Sequence, residues 1–351
     1  MSRRYDSPDR VHVIAHANPP ASDIRKLGFA SAGEYIAFIR EHTPAPLRLT
    51  CSARFFEVEE DELRGGRRDD AARIRDLQNA LDDPRTLAIV ASNGGAYFTR
   101  ILPHLDFSPL AKRRRPLWAL GFSEMTTLVN LVASYRCGRG VYWLCPNYLA
   151  WKIRPVGAAR SAFAEFWQLL PQVLAGQTPA DARHLDFRPI RGELVAGKIP
   201  GKAVAGRIGG DPFAGRTREG PVRLIGGCLS VLAAMLPGPL GARLRPDGKW
   251  LFIEDIKEIP YRIDRYLATL KFAVWFERIA GVLVGDFHTP EADMQAAVLE
   301  LLRFHLPPQR KLPIVTTRSF GHVWPQVPVY LNRPLRLTVR GRAVELATST
   351  P

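Results

Sequence analysis

Short apolar runs alternate with amphipathic segments along the first half of the chain. Buried strands are predicted at Val11–His16, Leu87–Ala91 and Leu117–Leu120, because each is a short and mostly apolar run. Asp69–Leu81 lies between the first two and places its apolar residues on or near one helical face, which predicts a helix. Strands that alternate with helices, with Gly, Asn and Pro clustered after the strands, indicate a parallel α/β sheet.

The composition changes in the middle of the chain, and the alternation of predicted strands and helices then returns. From Gly176 to Gly220, glycine, proline and arginine dominate, and only short strands such as Gly192–Ala196 are expected. We therefore predict an N-terminal α/β domain at 1–175, an interdomain connection at 176–220 and a smaller C-terminal α/β domain at 221–351. Within the last domain, Gly226-Gly227-Cys228 is interpreted as a tight turn after a strand.

Length and cysteine usage narrow the class of protein. A chain of 351 residues suits two domains better than one. The sequence has no run of about 18 apolar residues and its N-terminus lacks an apolar signal region, so we expect no membrane partner and a cytoplasmic location. The 4 cysteines and 8 histidines show no metal-ligand spacing. No metal and no cofactor are therefore expected.

The formal net charge of +15 raises the question of nucleic-acid binding. The basic residues are dispersed, and only Lys112–Arg115 forms a tight run, which we interpret as a solvated loop. No specific nucleic-acid partner is expected. Arginines of the connection, among them Arg207, Arg216 and Arg218, are instead expected to border a cleft for an anionic substrate, since the guanidinium fork suits such oxyanions.

A serine at a strand-to-helix junction is the first candidate for chemistry. Gly121 permits a sharp turn after the strand, and a helix is predicted from Met125 to Ala133. A serine held there, such as Ser123, projects its hydroxyl from the sheet while the first N–H groups of the helix point at the atom it would attack. The alternative is a structural N-cap, and the G-x-S-x-G form of a nucleophile elbow is absent.

Three further positions follow predicted strands, where parallel sheets bind ligands. They are Gly94-Gly95, Glu254 and His322. Each has a structural alternative: the glycines resemble a weak phosphate loop, Glu254 could pair with Arg262 or Arg265, and His322 could be an ordinary loop histidine.

Six segments of the chain, taken in order, resemble the LD-carboxypeptidase family of serine peptidases, which includes the microcin C self-immunity proteins. They are Arg73–Pro84 (RIRDLQNALDDP), Asn93-Gly94-Gly95, Gly121–Leu128 (GFSEMTTL), Gly226–Leu229 (GGCL), Leu251–Leu267 (LFIEDIKEIPYRIDRYL) and Gly321-His322. The resemblance implies a Rossmann-like N-terminal domain, a smaller C-terminal α/β domain and an active site at the domain interface. It implies Ser123 as nucleophile, Glu254 as orienting carboxylate and His322 as general base.

The same resemblance implies an oxyanion hole made of backbone N–H groups from Glu124 and from the Gly94-Gly95 turn. Four positions depart from the family pattern: Glu124 replaces the usual Asp, Asn93 the usual Arg, and Cys228 the usual Asn, while Cys145-Pro146 stands where the family has Gly-Pro. The candidate substrate-binding residues are Asn93, Trp151, Cys228 and Trp324. A homodimer is also implied.

Three functions are therefore compared. The first is a carboxypeptidase that releases a terminal D-amino acid from a murein peptide. The second is a self-immunity amidase that acts on a peptidyl- or aminoacyl-nucleotide antibiotic. The third is a catalytically silent protein that holds a ligand in the same cleft. In the first two, the partner is a small peptide or a peptidyl conjugate.

Overall fold

The computed structural model describes residues 9–59, 66–199, 202–204 and 217–348. The chain forms two compact units, Met1–Asp186 and Phe187–Pro351. The connection was predicted at 176–220, and its described residues from 187 onward fall in the second unit. The strand predicted at Gly192–Ala196 is present there.

The first unit contains a five-stranded parallel sheet in the order β2-β1-β3-β4-β5. Its strands are β1 Arg10–Ile14, β2 Arg48–Thr50, β3 Thr86–Ala91, β4 Leu117–Gly121 and β5 Gly138–Tyr142. Every residue of β4 is buried, which agrees with its continuous apolar sequence. Because the strands are parallel, the segments after β1, β3 and β4 leave the sheet at one edge.

Seven α-helices connect and cover these strands in the described part of the first unit. They are α1 Ala21–Lys26, α2 Ala32–His42, α3 Asp70–Asp82, α4 Pro109–Lys112, α5 Thr126–Ala133, α6 Leu149–Lys152 and α7 Val156–Ala175. All residues of α5 are buried, and it packs on β4 and β5. After β3 the chain forms a 3₁₀ segment, Thr99–His104, which contains Pro103. Proline lacks the N–H that a longer α-helix needs at that position.

The second unit has a mixed sheet in the order β13-β9-β10-β11-β12-β6-β15-β14-β8-β7. The five strands from β13 to β12 are parallel, and the pairs from β12 to β7 are antiparallel. The strands are β6 Ile190–Ala196, β7 Lys202–Val204, β8 Thr217–Val222, β9 Leu224–Cys228, β10 Trp250–Ile256, β11 Gly281–His288, β12 Ile314–Thr317, β13 Val329–Leu331, β14 Leu335–Arg340 and β15 Ala343–Thr348. Its helices are α8 Leu229–Met235, α9 Pro260–Phe272, α10 Trp275–Arg278 and α11 Gln295–His305.

The α/β fold class predicted from the alternation is confirmed, but the prediction at Gly226-Gly227-Cys228 is wrong. These residues form the end of β9 and pair with β10. A Cβ on Gly226 would lie 1.9 Å from the carbonyl oxygen of Phe252, so glycine here permits close strand approach and not a turn.

The basic run at Lys112–Arg115 is not a fully solvated loop either. Arg113 is 8% exposed, and its guanidinium donates to the carbonyl oxygens of Asp83, Pro84 and Thr86. Arg115 pairs with Asp9. These two arginines therefore support the start of β3 and the chain before β1. Among the described residues, no helix combines the length and apolarity that crossing a membrane requires.

Candidate active site

Ser123 lies directly after β4 in a 3₁₀ turn, Ser123–Met125, that leads into α5. Its φ of +58° is rare for a residue with a side chain. Such strain is typical of a serine at a nucleophile elbow. The Ser123 N–H donates to the Tyr142 hydroxyl at 3.1 Å, and the Thr126 hydroxyl donates to the Ser123 carbonyl at 2.7 Å. Met125, not Ser123, is the N-cap residue of α5.

The loop after β3 lies against this serine within the first unit. A Cβ on Gly94 would lie 3.3 Å from the Ser123 Cβ, so the glycine backbone packs closely beside the serine. Gly95 has φ +115°, and a Cβ there would lie 2.3 Å from the Asn18 Cγ. Glycine is thus required at position 95 by conformation and close approach, and at position 94 it allows tight packing against the serine.

Asn93 and Asn18 fix the shape of that loop. Asn93 is buried; its amide nitrogen donates to the Asn18 carbonyl at 2.5 Å, and its amide oxygen accepts from the Ser92 hydroxyl at 2.9 Å. The Asn18 side-chain oxygen accepts from the Ala96 N–H at 2.7 Å. The Asn93 side chain is therefore engaged in loop structure, while its predicted part in substrate binding stays a prediction.

Glu124 contributes through its side chain as well as its backbone. Its carboxylate accepts from the Phe98 N–H at 3.0 Å and the Thr99 N–H at 2.7 Å, which ties the serine turn to the loop after β3. Burial raises the pKa of Glu124, although these hydrogen bonds oppose the shift. The side-chain role was not predicted; the predicted role of the Glu124 N–H in an oxyanion hole remains a proposal.

Glu254 and His322 meet within the second unit. Glu254 is fully buried near the end of β10, and its Oε2 lies 2.8 Å from His322 Nδ1. The alternative pairings of Glu254 fail, because Arg262 lies beside Glu258 and Arg265 stacks over Tyr261. A carboxylate at Nδ1 favours the tautomer with its proton on Nδ1, which places the imidazole lone pair on Nε2. The pair is thus chemically suited to accept a proton at Nε2.

Gly321 sets the approach of the histidine to the carboxylate. Its φ is +112°, and a Cβ at this position would lie 3.0 Å from Glu254 Oε2 and 3.2 Å from the Asp286 Cβ. The glycine before His322 therefore has both a conformational and a packing reason. This observation gives a physical basis to the Gly321-His322 pattern.

Cys228 lies beside a second buried carboxylate. Its thiol donates to Asp255 Oδ1 at 3.4 Å, and Asp255 Oδ2 accepts from the Ser230 N–H at 2.7 Å. Burial and the neighbouring Glu254 raise the pKa of Asp255 to about 6. Burial, together with the charges of Asp255 and Glu254, also holds the pKa of the Cys228 thiol well above its ordinary value. Cys228 is consequently a neutral thiol and not a nucleophile.

The remaining candidates from the sequence are two tryptophans and the arginines of the predicted connection. The Trp151 ring is 56% exposed, donates from Nε1 to Asp23 at 2.8 Å and lies beneath the Lys26 ammonium. Trp324 is half-buried, two residues after His322. Their roles in substrate binding stay predictions. The Arg218 guanidinium donates to the Ile199 carbonyl at 2.8 Å, whereas Arg207 and Arg216 lie outside the described residues.

Asn18, Tyr142 and Asp255 were missed as supporting residues of the site. A signal existed for Asn18, which follows β1 at the edge of the sheet where ligands bind. Tyr142 lies at the end of β5, beside β4, and its hydroxyl contact depends on strand pairing that sequence alone did not specify. Within the described ranges, no group of three or more His, Cys, Asp or Glu residues is arranged to hold a metal ion.

Both parts of the chain match one protein family. Residues 11–140 match the LD-carboxypeptidase N-terminal domain, and residues 222–337 match the LD-carboxypeptidase C-terminal domain. A relative from Bacillus subtilis (strain 168), named a probable murein peptide carboxypeptidase, is 30% identical over 280 residues, which are 80% of this chain and 72% of the relative. The chain belongs to the LD-carboxypeptidase family, as its sequence segments indicated.

Solved structures share the fold. An MccF-like protein from Bacillus anthracis str. Ames superposes with a TM-score of 0.65 at 18% identity, covering 98% of both chains. The microcin C7 self-immunity protein MccF, solved in complex with aspartyl sulfamoyl adenosine, gives a TM-score of 0.63 at 14% identity, covering 98% of this chain and 97% of that one. At these identities the likeness establishes the fold.

Proposed function

We propose that this protein is a serine hydrolase that cleaves an L,D peptide bond and releases a terminal D-amino acid from a murein peptide. The observation that carries the proposal is the buried Glu254–His322 pair, with 2.8 Å between carboxylate oxygen and Nδ1. A buried carboxylate fixes the imidazole tautomer and stabilises the imidazolium that forms when the base takes a proton. The strained backbone of Ser123 supplies independent support for a nucleophile.

In the proposed reaction, Ser123 Oγ attacks the carbonyl carbon of the scissile bond while His322 Nε2 takes the hydroxyl proton. The carbonyl oxygen becomes an oxyanion, for which the N–H groups of Glu124 and of Gly94-Gly95 are the proposed donors. Collapse of the tetrahedral intermediate breaks the C–N bond, and His322 returns the proton to the leaving amine. An acyl-enzyme on Ser123 remains.

Water completes the cycle. His322 takes a proton from the attacking water, a second tetrahedral intermediate forms, and the Ser123 oxygen leaves with the proton that the imidazole returns. The products are a shortened peptide with a new carboxylate and a free D-amino acid. Neither a metal nor an organic cofactor takes part in these steps.

The substrate class rests on family membership. The Bacillus subtilis relative carries the name of a probable murein peptide carboxypeptidase and matches 80% of this chain. The departures at Asn93, Glu124 and Cys228 affect the surroundings of the proposed triad and not its members. We therefore place a murein tetrapeptide first among substrates.

A second candidate, cleavage of an aminoacyl-nucleotide conjugate, is supported by the fold shared with MccF, which was solved with aspartyl sulfamoyl adenosine. The same nucleophile and base would serve it, because an amide bond is broken in both reactions. The two candidates differ in the leaving group, which is a D-amino acid in one and, in the other, the nucleotide or its sulfamoyl analogue, released through the nitrogen that was joined to the acyl carbon.

The test is incubation of the purified protein with murein tetrapeptide and, separately, with a peptidyl aminoacyl-sulfamoyl adenosine, followed by mass spectrometry of the products. We expect D-alanine from the tetrapeptide and none from a Ser123→Ala control. Release from the nucleotide conjugate alone would favour the second candidate. A protein that binds either compound without cleaving it would be a silent ligand-binding protein, and the proposal would fall.

A further inference from the structure

Two guanidinium groups lie buried beneath the loops of the first unit, and the proposed reaction does not use either of them. The side chains of Arg67 and Arg73 are both 0% exposed. Arg67 Nη1 donates to the carbonyl oxygens of Ala15 at 2.5 Å and Ala17 at 2.9 Å. Both acceptors lie in the segment that follows β1, so Arg67 holds the main chain of that segment.

Arg73 also binds the main chain of the segment after β1, and in addition it binds a second loop. Its Nη1 donates to the carbonyl oxygen of His16 and, at 2.9 Å, to that of Tyr97. One side chain thus joins the loop after β1 to the loop after β3. Tyr97 has φ +70°, a conformation that a residue with a side chain adopts only when its surroundings enforce it.

The charges of both arginines are balanced locally. Arg67 binds Asp69 through two hydrogen bonds, Nε to Oδ1 at 3.0 Å and Nη2 to Oδ2 at 2.6 Å. Arg73 pairs with Asp70, and its Nε lies 3.1 Å from Asp69 Oδ1. Buried charges are costly unless they are paired and hydrogen-bonded in this way. The remaining donors are therefore available for carbonyl oxygens.

The segment that the arginines hold contains the residue that shapes the proposed oxyanion loop. The Asn18 N–H donates to the Gly94 carbonyl at 3.3 Å, and the Asn18 side chain accepts from the Ala96 N–H at 2.7 Å. Asn18 therefore fixes residues 94–96, Arg73 fixes residue 97, and Glu124 fixes residues 98 and 99. The loop is thus held at residues 94, 96, 97, 98 and 99.

We infer that Arg73, with Arg67, is a positioning residue for the oxyanion hole, which it orients by clamping the loops after β1 and β3 together. This inference rests on the proposed function, because the loop at 94–95 is the proposed source of oxyanion donors. Arginine suits the position because its planar fork reaches two carbonyl oxygens and a carboxylate at once, whereas a lysine ammonium acts as a single compact charge. Loss of the clamp shifts the N–H donors of the oxyanion hole. These donors stabilise the transition state more than they stabilise the bound substrate, so kcat should change more than KM.

The test compares Arg73→Ala and Arg73→Lys with Arg113→Ala. Arg113 is a matched control, because it is also buried and also donates to carbonyl oxygens, but at residues 83 and 84 before β3 and at residue 86, which begins it, away from the loop that follows the strand. For each variant, kcat and KM for the murein tetrapeptide are measured with and without millimolar guanidinium. Hydrogen exchange of residues 94–99 is followed by mass spectrometry.

We expect Arg73→Ala to lower kcat by about 10²-fold with little change in KM, as for a small displacement of catalytic groups. Guanidinium should restore part of kcat by occupying the vacated site, and exchange at 94–99 should be faster. Arg73→Lys should fall between wild type and Arg73→Ala. Arg113→Ala should lose stability but keep kcat per folded molecule, with no rescue.

A folded Arg73→Ala enzyme with wild-type kcat would overturn the inference, and so would unchanged exchange at 94–99. If Arg73→Ala does not fold, the Arg73→Lys variant decides by the same two measurements. Wild-type protein that cleaves no substrate would refute the proposed function instead, and the exchange measurement would still test the clamp. The two failures are therefore distinguishable.

Discussion

Replacement of Gly321 by alanine tests the geometry of the Glu254–His322 pair most selectively. The new Cβ would lie 3.0 Å from Glu254 Oε2 and 3.1 Å from the Glu254 Cβ, so the carboxylate must shift by a few tenths of an ångström. Gly238→Ala is a matched control in the same unit. Its φ of +114° is close to the +112° of Gly321, but a Cβ there would have no neighbour within 4 Å among the described residues.

The expected loss of folding stability in Gly321→Ala has two contributions, and the expected loss of rate follows from the displacement. Alanine at such a φ costs about 1–3 kcal/mol of folding stability, and this cost is common to both variants. Gly321→Ala also weakens a hydrogen bond to a charged group, an interaction of about 1.5–3 kcal/mol, so it should be the less stable variant by up to about 2 kcal/mol. A displacement of 1 Å at a catalytic group can cost about 10²-fold in rate, so a few tenths of an ångström should cost about tenfold.

The assay is urea denaturation of both variants, together with kcat for D-alanine release from the tetrapeptide. Gly238→Ala should lose stability and keep kcat per folded molecule. Gly321→Ala should lose more stability and lower kcat about tenfold. If both variants keep wild-type kcat, the position of Glu254 relative to His322 does not matter to the reaction, and the reasoning is refuted.

The remaining predictions concern the two adjacent carboxylates. Glu254→Gln should lower kcat by about 10⁴ with little change in KM, because an amide cannot stabilise the imidazolium; an unchanged kcat would point to another carboxylate. Asp255 has a folded pKa of about 6 against about 3.9 unfolded, so the contribution of Asp255 to stability should fall as pH rises from about 4 through about 6. Asp255→Asn mimics the protonated acid, so it should match wild type near pH 4 and be more stable by about 3 kcal/mol above pH 7. Thermal unfolding of both proteins across this pH range tests whether the stability difference grows as pH rises. A stability difference independent of pH would contradict this prediction.

Elements with strong periodicity were predictable from the sequence. The helix predicted at Asp69–Leu81 is present at Asp70–Asp82, and the strand predicted at Leu87–Ala91 is present at Thr86–Ala91. In each of these segments, the spacing of apolar residues and the flanking residues indicate the same type of secondary structure. Local pattern is sufficient for such elements, because tertiary contacts reinforce a preference that is already present.

The failures occurred where a distant contact determines the local structure. Gly226 is part of a strand because Phe252 of β10 approaches its backbone, and no feature of the glycine pair itself distinguishes this from a turn. Arg113 is buried because carbonyl oxygens before β3 accept its donors, although it stands in a charged run. Both outcomes depend on residues about 25 to 30 positions away in the chain.

In the candidate site, too, residues with a local sequence pattern were predictable and residues that act through distant contacts were not. Ser123 was identifiable from a strand, a glycine and a helix in succession, and His322 and Glu254 from strand ends and family resemblance. Most supports of these residues were not identifiable. Arg67 and the Glu124 side chain act through backbone groups of other segments, and a backbone donor or acceptor leaves no signature in the sequence.

The central claim is that Ser123 is a nucleophile activated by His322. The most direct measurement is the rate of covalent labelling by a fluorophosphonate, with the modified residue identified by peptide mass spectrometry in wild type, Ser123→Ala and His322→Ala. We expect a single adduct on Ser123, no adduct in Ser123→Ala, and labelling slower by about 10⁴ in a folded His322→Ala protein. An adduct on another residue, or wild-type labelling of Ser123 without His322, would contradict the claim.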